Sequence, residues 1–364
     1  MDKVFLQRLR RIRAVLRARH TDALLVTSPE NRRYLSGFTA EDASIAESSG
    51  ALLVMADEAI LLTDGRYEVQ AKADCPGFGV FIYRKGLNEA VQNITADAGI
   101  KKMAYEPGYI TCSGLDSIKK ACPQVEPVPL MGKIEAMRSI KFQSELESIK
   151  RAIRAAEYVF ETVSAGLRPG MTEKEIAWQI IEGLSREADG PSFPPIVAAG
   201  PNAALPHAVP GDRKIAEAEP IIIDMGARLN GYSSDMTRTV FIGHPRPPFE
   251  EVYKTVRRAQ SAAQGAIRAG LTGRFVDNIA RSIIKDAGFG HLFGHSLGHG
   301  VGLAVHEAPA LSPRARKTLK SGMVVTIEPG IYIPGEGGVR LENMVYVGKD
   351  RGTVLSRQDW FYDF

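Results

Sequence analysis

Short apolar runs separated by helix-like segments dominate the first third of the chain. The runs have the length and apolar content of buried strands, and they are DALLVT (22–27), GALLVM (50–55), EAILLT (58–63) and FGVFIY (78–83). Helices are predicted between and after them, near residues 66–73, 87–97 and 111–121. Strands that alternate with helices predict an α/β domain. Because no catalytic constellation lies in this region, we expect it to have a structural, oligomerising or site-covering role.

A change of pattern marks a candidate domain boundary. The segment VEPVPLMGK (125–133) combines a proline cluster with a glycine and ends the alternation, which is typical of a linker. We therefore predict domains at residues 1–130 and 131–364. The second domain opens with a long predicted helix over residues 143–166, and a helix N-terminal signal follows at residues 172–175.

Two hairpins are predicted in the second domain, and the first carries two aspartates. In residues 221–242, strand-like runs flank Asn230-Gly231, a dipeptide that favours a two-residue hairpin turn. Such a turn places Asp224 opposite Thr237 and leaves Asp235 diagonal to Asp224 on the same face of the sheet. The two carboxylates therefore face one space.

The second hairpin repeats this arrangement with two glutamates. Residues 323–347 form strand-like runs on either side of a turn at residues 334–337. A turn centred on Gly335 places Glu328 directly opposite Glu342. Arg340 lies two residues before Glu342 and points to the same face of the strand.

The stretch GHSLGHGVGLAVHE (294–307) mixes glycines with three of the seven histidines of the chain, which are His295, His299 and His306. A serine hydrolase elbow centred on Ser296 fails, because no histidine follows well downstream. A zincin pattern beginning at His306 fails as well, because Ala310 occupies the position of its second histidine. What remains is a metal site in which one of these histidines joins carboxylates from elsewhere.

Composition excludes several classes of protein. With 44% hydrophobic and 24% charged residues, the chain is typical of a globular protein, and no apolar run approaches the length of a membrane span. The net charge of +4 is too small to imply a polyanionic partner, and the arginine-rich first helix is amphipathic, with Arg8 among the residues assigned to its solvated face. We expect neither a nucleic acid nor a membrane as partner.

Cysteine content and the N-terminus suggest a compartment. The three cysteines form no C-x-x-C pair and are odd in number, which suits free thiols in a reducing compartment. Arginines interrupt the first apolar residues, so no signal-peptide core is present. We expect a cytoplasmic protein.

The candidate ligands predict a metal centre. Four carboxylates on two hairpins and one histidine form an oxygen-rich set that suits two divalent ions, with manganese as the first choice and cobalt, zinc or iron as alternatives. Without a cation, four converging carboxylates would repel one another.

The ligand order resembles that of the dinuclear metallopeptidases of the pita-bread fold, which include methionine aminopeptidase, prolidase, aminopeptidase P and creatinase. The residues in this order are Asp224, Asp235, His299, Glu328 and Glu342. Several segments are similar to the branch that cleaves Xaa-Pro bonds, among them SFPPIVAAGPNAALPHAVP (192–210), HSLGHGVGLAVHEAP and, in the first domain, LTDGRYEVQA. One departure is Asn343, where many relatives have aspartate.

The resemblance implies a fold and an activity. The expected fold is a creatinase-like α/β N-terminal domain followed by an α+β pita-bread catalytic domain, whose curved antiparallel sheet carries two pseudo-symmetric hairpins. The expected activity is metal-dependent cleavage between an N-terminal residue and a following proline, by a homodimer.

The resemblance also implies residue roles. His207 and His306 would contact the substrate carbonyl and the transition state, and His295 would help to bind the substrate. Arg340 would support the metal ligands or bind a substrate carboxylate. Glu328 is the candidate proton carrier, and Phe193 is a candidate wall of the proline pocket.

Several alternatives stay open within this resemblance. A prolidase confined to dipeptides differs from an aminopeptidase P in whether the site is open beyond the proline, and the short first domain, which shows no clear basic cap, favours the aminopeptidase. Creatinase-type enzymes lack the full ligand set, and methionine aminopeptidases generally lack the first domain. Non-catalytic pita-bread modules that bind nucleic acid or protein form a further class, against which the intact ligand set counts.

Overall fold

The computed structural model describes residues 2–42, 44–357, 361 and 362. The chain divides into two compact units, Met1–Met137 and Arg138–Phe364. This division falls at the end of a helix, whereas the sequence predicted a boundary between residues 130 and 131.

The first unit is a mixed sheet flanked by helices. Its helices are α1 (Lys3–Ala18), α2 (Pro29–Ser36), α3 (Glu68–Asp74), α4 (Leu87–Asp97), α5 (Cys112–Ala121) and α6 (Lys133–Arg138), whose last residue already belongs to the second unit. Its strands are β1 (Ala23–Val26), β2 (Ala51–Met55), β3 (Ala59–Asp64), β4 (Gly79–Tyr83), β5 (Lys102–Tyr105) and β6 (Glu126–Pro129), in the order β4-β3-β2-β1-β5-β6. Strand β2 is antiparallel to β1 and β3, and the other neighbouring pairs are parallel. The predicted α/β architecture is confirmed.

Two details of the first unit differ from the sequence prediction. The proline-rich segment predicted as a linker contains β6, because prolines that cannot donate to the ladder are tolerated at a sheet edge. Arg8, which we assigned to a solvated helix face, is buried. Its guanidinium donates to the Tyr34 carbonyl and lies 3.9 Å from the centre of the Tyr34 ring. Part of the basic face of α1 is therefore a packing surface between α1 and α2.

The second unit combines two pairs of helices with antiparallel strands. Its helices are α7 (Gln143–Ala165), α8 (Glu173–Glu187), α9 (Phe249–Ala266) and α10 (Gly273–Asp286), with short 3-10 turns at Gly200–Ala204 and Gly290–Leu292. Its strands are β7 (Gly190–Pro191), β8 (Ile196–Ala199), β9 (Ile221–Met225), β10 (Ala227–Leu229), β11 (Tyr232–Ser233), β12 (Met236–Val240), β13 (Gly298–Gly300), β14 (Glu307–Leu311), β15 (Val324–Ile327), β16 (Gly330–Ile333), β17 (Gly337–Arg340), β18 (Asn343–Val347) and β19 (Gly352–Val354). The pairings among the described strands of this unit are antiparallel.

The second unit has two halves with one plan. In the first half, α7 and α8 pack on the sheet β12-β9-β8, and in the second, α9 and α10 pack on strands that include β14, β15 and β17. Thr172 caps the N-terminus of α8, as the sequence predicted, and Thr272 caps that of α10. Each half thus presents a sheet with a helix pair behind it.

No helix in the described part of the chain has the length and apolar content that crossing a membrane requires.

Candidate metal centre and active site

The first hairpin has the register that its turn dipeptide predicted. Asn230 and Gly231 both have positive φ, 52° and 78°, which a two-residue turn of type I′ requires. Leu229 pairs with Tyr232, and Thr237 pairs with Asp224. The same register continues through the break between the strand segments, so the face that carries Asp224 also carries the next carboxylate, Asp235. This prediction is confirmed.

The second hairpin keeps one register over two strand pairs. Gly330 pairs with Arg340 in β16 and β17, and Ile327 pairs with Asn343 in β15 and β18. The positions between them, Glu328 and Glu342, therefore lie opposite each other, as predicted. The turn is one residue shorter than predicted, because Gly337 already pairs with Ile333.

The two hairpins bring their carboxylates together with histidines of the glycine-rich stretch. Three overlapping groups of donor atoms occur in which the atoms lie within 4.8 Å of one another: Asp224, Asp235 and Glu342; His299, Glu328 and Glu342; and Asp235, His299 and His306. The first two groups share Glu342 and contain the five residues predicted as ligands. A shared carboxylate is the geometry expected of neighbouring cation positions.

His299 turns its Nε2 toward this cluster. Its Nδ1 lies 3.1 Å from the Gly300 carbonyl oxygen, and since a carbonyl only accepts, Nδ1 carries the proton. Its Nε2 lies 3.2 Å from Glu328 Oε1 and 3.7 Å from Asp235 Oδ2. A backbone carbonyl that fixes the imidazole in this way is typical of metal-ligating histidines.

The electrostatics of the cluster favour a bound cation. Burial and the neighbouring carboxylates raise the pKa of Asp235 and of Glu342 well above the usual range. Two buried oxygens, Asp224 Oδ1 and Glu342 Oε1, have no hydrogen-bond partner among the described residues. Buried, mutually repelling carboxylates with unsatisfied acceptors are costly. Divalent cations would satisfy the acceptors and neutralise the charge, so the donor set fits the predicted metals.

Arg340 ties the two hairpins together. Its Nη2 donates to Asp224 Oδ2 at 2.7 Å, and its Nε donates to the hydroxyl of Thr237 at 3.2 Å. That hydroxyl donates to Glu342 Oε2 at 2.7 Å. The side chain of Arg340 is only 3% exposed. Arg340 therefore orients one carboxylate of each hairpin, the first of the two roles considered for it.

His295 lies beside the cluster as a neutral imidazole. Its Nδ1 lies 2.8 Å from the Ser296 carbonyl oxygen, so Nδ1 donates and Nε2 accepts from the Tyr332 hydroxyl at 2.9 Å. The same hydroxyl accepts from Arg340 Nη1 at 2.9 Å. Burial lowers the pKa of His295 below its usual value, in keeping with this neutral form. Thus His295 is connected to Asp224 through two side chains.

The remaining predicted residues line the same cleft. Its volume is about 700 Å³, and His207, His306 and Phe193 lie in its wall together with the predicted ligands. His207 and His306 are exposed to the cleft, and Phe193 is half-buried. Burial, together with nearby His299, lowers the pKa of His306. The wall near Phe193 is otherwise apolar, with prolines on either side of His207.

Sequence reasoning missed several residues that hold the site. Tyr332 and Thr237 connect Arg340 to its neighbours, and Thr326 donates to Glu328 Oε1 at 3.0 Å. Each was visible as a polar residue two or four positions from a predicted ligand, a spacing that puts both on the same strand face. Glu173, at the start of α8, is fully buried. Its carboxylate accepts from the backbone N–H groups of residues 199 and 211, which flank the segment that carries His207.

Comparison with known proteins places the chain in a family. Residues 147–349 match the profile of Metallopeptidase family M24, and residues 8–140 match the Creatinase/Prolidase N-terminal domain. An uncharacterized peptidase, YqhT, from Bacillus subtilis (strain 168) is 36% identical over 336 residues, which cover 92% of this chain and 93% of that protein.

Solved structures agree with this assignment. The Xaa-Pro dipeptidase from Bacillus anthracis superposes with a TM-score of 0.92 and 35% identity, covering 97% of this chain and 98% of that one. The X-Pro aminopeptidase from Thermotoga maritima MSB8 superposes with a TM-score of 0.86 and 35% identity, covering 94% and 97%. The predicted fold class is confirmed. The chain belongs to Metallopeptidase family M24 and carries the creatinase/prolidase N-terminal domain ahead of its peptidase domain.

Proposed function

We propose that this chain is a divalent-metal-dependent Xaa-Pro aminopeptidase, which hydrolyses the bond between an N-terminal residue and a following proline. The observation that carries the proposal is the convergence of five carboxylate and imidazole side chains in one cleft, with His207 and His306 at its wall. Solved relatives named for Xaa-Pro hydrolysis support the choice of bond.

We propose the metal ligands to be those predicted from the sequence, and manganese to be the ion. The ligands are Asp224, Asp235, His299, Glu328 and Glu342. Divalent ions bound by them would polarise the scissile carbonyl and lower the pKa of the attacking water. The raised pKa values of the carboxyl groups imply that metal binding displaces protons.

Glu328 would carry the proton. It faces the cleft, and Thr326 and His299 hold its Oε1. Despite its burial, contact with His299 lowers the pKa of Glu328, which keeps the carboxylate ready to accept. It would take a proton from the attacking water and deliver it to the imino nitrogen of the leaving proline.

His207 and His306 would stabilise the tetrahedral oxyanion. Both face the cleft from loops on its wall, and the ring of His306 packs edge-on against that of His299 at 4.2 Å. N–H groups fixed at the place where negative charge develops lower the barrier more than they bind the ground state.

The cleft wall suits a proline ring. Phe193, Pro194 and Pro195 form an apolar surface next to the proposed ligands. An Xaa-Pro bond has no N–H and a fixed φ, so the enzyme needs shape rather than a backbone hydrogen bond to recognise it. Phe193→Ala is therefore expected to raise KM for Xaa-Pro substrates more than it lowers kcat.

The contacts of Arg340 favour an aminopeptidase over a dipeptidase. Among the described residues that line the cleft, Arg340 alone has a lysine or arginine side chain. It was therefore a candidate partner for the carboxylate of a dipeptide. It donates to Thr237, Pro206, Tyr332 and Asp224, which occupy four of its five N–H groups. The name of the Bacillus anthracis relative favours the alternative, an Xaa-Pro dipeptidase.

One experiment tests both levels of this proposal. Metal-free protein with added manganese is expected to cleave Xaa-Pro-Yaa-Zaa and to leave the matched Xaa-Ala-Yaa-Zaa peptide largely intact. A higher kcat/KM for the dipeptide Xaa-Pro than for the longer peptide would make the protein a dipeptidase. No turnover of either peptide with any metal, with salt-sensitive nucleic-acid binding instead, would favour a non-catalytic module.

We also propose a cytoplasmic homodimer. The three thiols are free, which suits a reducing compartment. Analytical ultracentrifugation tests the dimer, and fractionation of the native host tests the location.

A further inference from the structure

The position of His306 depends on a loop rather than on its own side-chain contacts. Among the described residues, the His306 imidazole has a ring contact with His299 and no hydrogen-bond partner. It ends the loop of residues 301–306, which joins β13 to β14. Whatever fixes the backbone of this loop therefore fixes the imidazole.

The next residue, Glu307, is buried behind the loop. It is not among the residues that line the cleft, and its side chain is 6% exposed. Its Oε2 accepts from Arg138 Nη2 at 2.7 Å, and its Oε1 accepts from Lys141 Nζ. The side chains of Arg138 and Lys141 are 3% and 1% exposed. A carboxylate that accepts from two buried, positively charged side chains has little freedom to move.

The loop is shaped around this carboxylate. A Cβ atom added to Gly302 would lie 2.5 Å from Glu307 Oε1, so only glycine allows the backbone to approach so closely. The two flanking strand segments hold the loop as well: Val301 donates to the Val324 carbonyl, and Ser233 donates to the Gly302 carbonyl. The carboxylate therefore supports the loop from inside.

We propose that Glu307, held by Arg138 and Lys141, is a positioning residue that sets the place of the His306 imidazole in the cleft. This inference rests on the proposed function, since it assigns the His306 ring a role in turnover. The His306 side chain lies in the cleft wall, whereas the Glu307 side chain points away from the cleft to Arg138 and Lys141. The His-Glu dipeptide that resembles the start of a zincin motif thus has a different use here.

The test compares substitutions of Glu307 with a matched control. Glu307→Gln and Glu307→Ala are expected to lower kcat for Xaa-Pro-Yaa-Zaa roughly 10- to 100-fold, because a small displacement of a catalytic group has effects of this size. KM and the Kd for manganese are expected to change by less than about threefold, since no proposed ligand is altered. The control is Asp42→Asn, which removes the carboxylate charge paired with buried Arg32 in the first unit. It is expected to lower the unfolding temperature and leave kcat unchanged.

A second readout does not depend on turnover. In metal-free protein, the ring Cε1–H signal of His306, assigned by its loss in His306→Gln, is expected to shift or broaden in Glu307→Gln and to keep its wild-type position in Asp42→Asn. If wild-type protein fails to cleave Xaa-Pro peptides, the proposed function fails, and this signal still tests the positioning.

The outcomes decide the inference. If Glu307→Ala fails to fold, Lys141→Met replaces it, with Lys141→Arg expected to restore kcat. An unchanged His306 signal in Glu307→Gln, together with kcat within about twofold of wild type, would show that Glu307 serves stability alone.

Discussion

The two halves of the catalytic unit share helix caps and backbone hydrogen bonds, but different contacts hold the loops at the cleft in each half. Thr172 and Thr272 cap corresponding helices 100 positions apart in the chain. Backbone bonds repeat as well: Gly170 donates to the Ile215 carbonyl, as Gly270 donates to the Leu319 carbonyl. Up to the helix cap, the halves are therefore alike.

They diverge at the first helical residue. In the first half this residue is Glu173, whose buried carboxylate accepts from Ala199, Asn202 and Gly211. In the second half it is Gly273, where an added Cβ would lie 2.1 Å from the Ala310 carbonyl oxygen. In the first half, a carboxylate of α8 thus holds the loop through hydrogen bonds. In the second half, strand β14 packs directly on α10.

The buried acidic residue that contacts a cleft loop lies at a different position in each half. The first half carries it on the helix, behind the loop that bears His207, whereas the second carries it on the strand itself as Glu307, next to His306. Both arrangements leave a histidine at the cleft wall. The proposed ligands are divided in the same way, with two aspartates from the first half and a histidine and two glutamates from the second.

The largest expected effect comes from removing one proposed ligand of each half. Asp235→Asn and Glu342→Gln are each expected to lower kcat/KM by on the order of 10³-fold or more and to weaken manganese binding, because the Lewis acid is lost. Metal-free variants are expected to unfold at or above the wild-type temperature, because each substitution relieves carboxylate repulsion.

The control for this comparison is Glu336→Gln, an exposed acid in the turn of the second hairpin. It is expected to change neither activity nor metal binding. Activity that survives the loss of either ligand would mean that one half suffices for catalysis.

The second effect concerns the carboxylate of the first half. Glu173→Gln is expected to destabilise the protein by about 1 to 3 kcal/mol, because at least one buried backbone N–H loses its acceptor. It is also expected to lower kcat/KM roughly tenfold through displacement of His207. Urea unfolding and steady-state kinetics measure the two effects.

The neighbouring acid Glu175 supplies the matched control. Its carboxylate accepts from the Thr172 N–H at the exposed helix cap. Glu175→Gln is expected to cost at most about 1 kcal/mol and to leave kcat/KM unchanged. Equal kinetic effects of the two substitutions would argue against a loop-holding role for Glu173.

The third effect concerns the close packing of Gly273 against the Ala310 carbonyl group in the second half. Gly273→Ala is expected to destabilise the protein by about 1 to 3 kcal/mol, because the added methyl group meets backbone that cannot move aside cheaply. Gly265→Ala in α9 is the control, since an added Cβ there meets nothing within 4 Å. That substitution is expected to stabilise by about 0.5 to 1 kcal/mol. Destabilisation by both would remove the argument from close packing.

The smallest effect is a pH dependence at His295 in the second half. Because burial lowers its pKa in the folded state, its contribution to stability is present above the unfolded pKa of about 6.5 and is lost as the pH falls below it. Between about pH 6.5 and 5, the unfolding free energy of metal-free His295→Gln protein should therefore decrease less than that of metal-free wild type. The two decreases are expected to differ by under about 1 kcal/mol. Parallel curves would contradict a buried neutral imidazole.

Local rules allowed the sequence to predict both hairpin registers. A turn dipeptide fixes the pairing, and the two-residue period then decides which carboxylates share a face. The ligand roles themselves remain a proposal. The same rules could not predict helix α2, which is short and mostly polar, or the proline-rich edge strand β6.

Contacts between distant positions lay outside the reach of sequence patterns. Glu307 meets Arg138 across 169 positions, and Arg340 meets Asp224 across 116. No local signal links such residues, because their proximity follows from packing of whole elements. Of these residues, Asp224 directly follows an apolar strand, where an unpaired charge would be costly.

The central claim is that ligands from both halves form one metal centre that hydrolyses Xaa-Pro bonds. The most direct test titrates metal-free protein with manganese, measuring bound metal per chain and the rate of Xaa-Pro-Yaa-Zaa cleavage in the same samples. We expect activity to rise from near zero with metal bound, to saturate near two ions per chain, and to be absent in Asp235→Asn. Full activity in metal-free protein, or saturable metal binding that Asp235→Asn leaves intact, would contradict the claim.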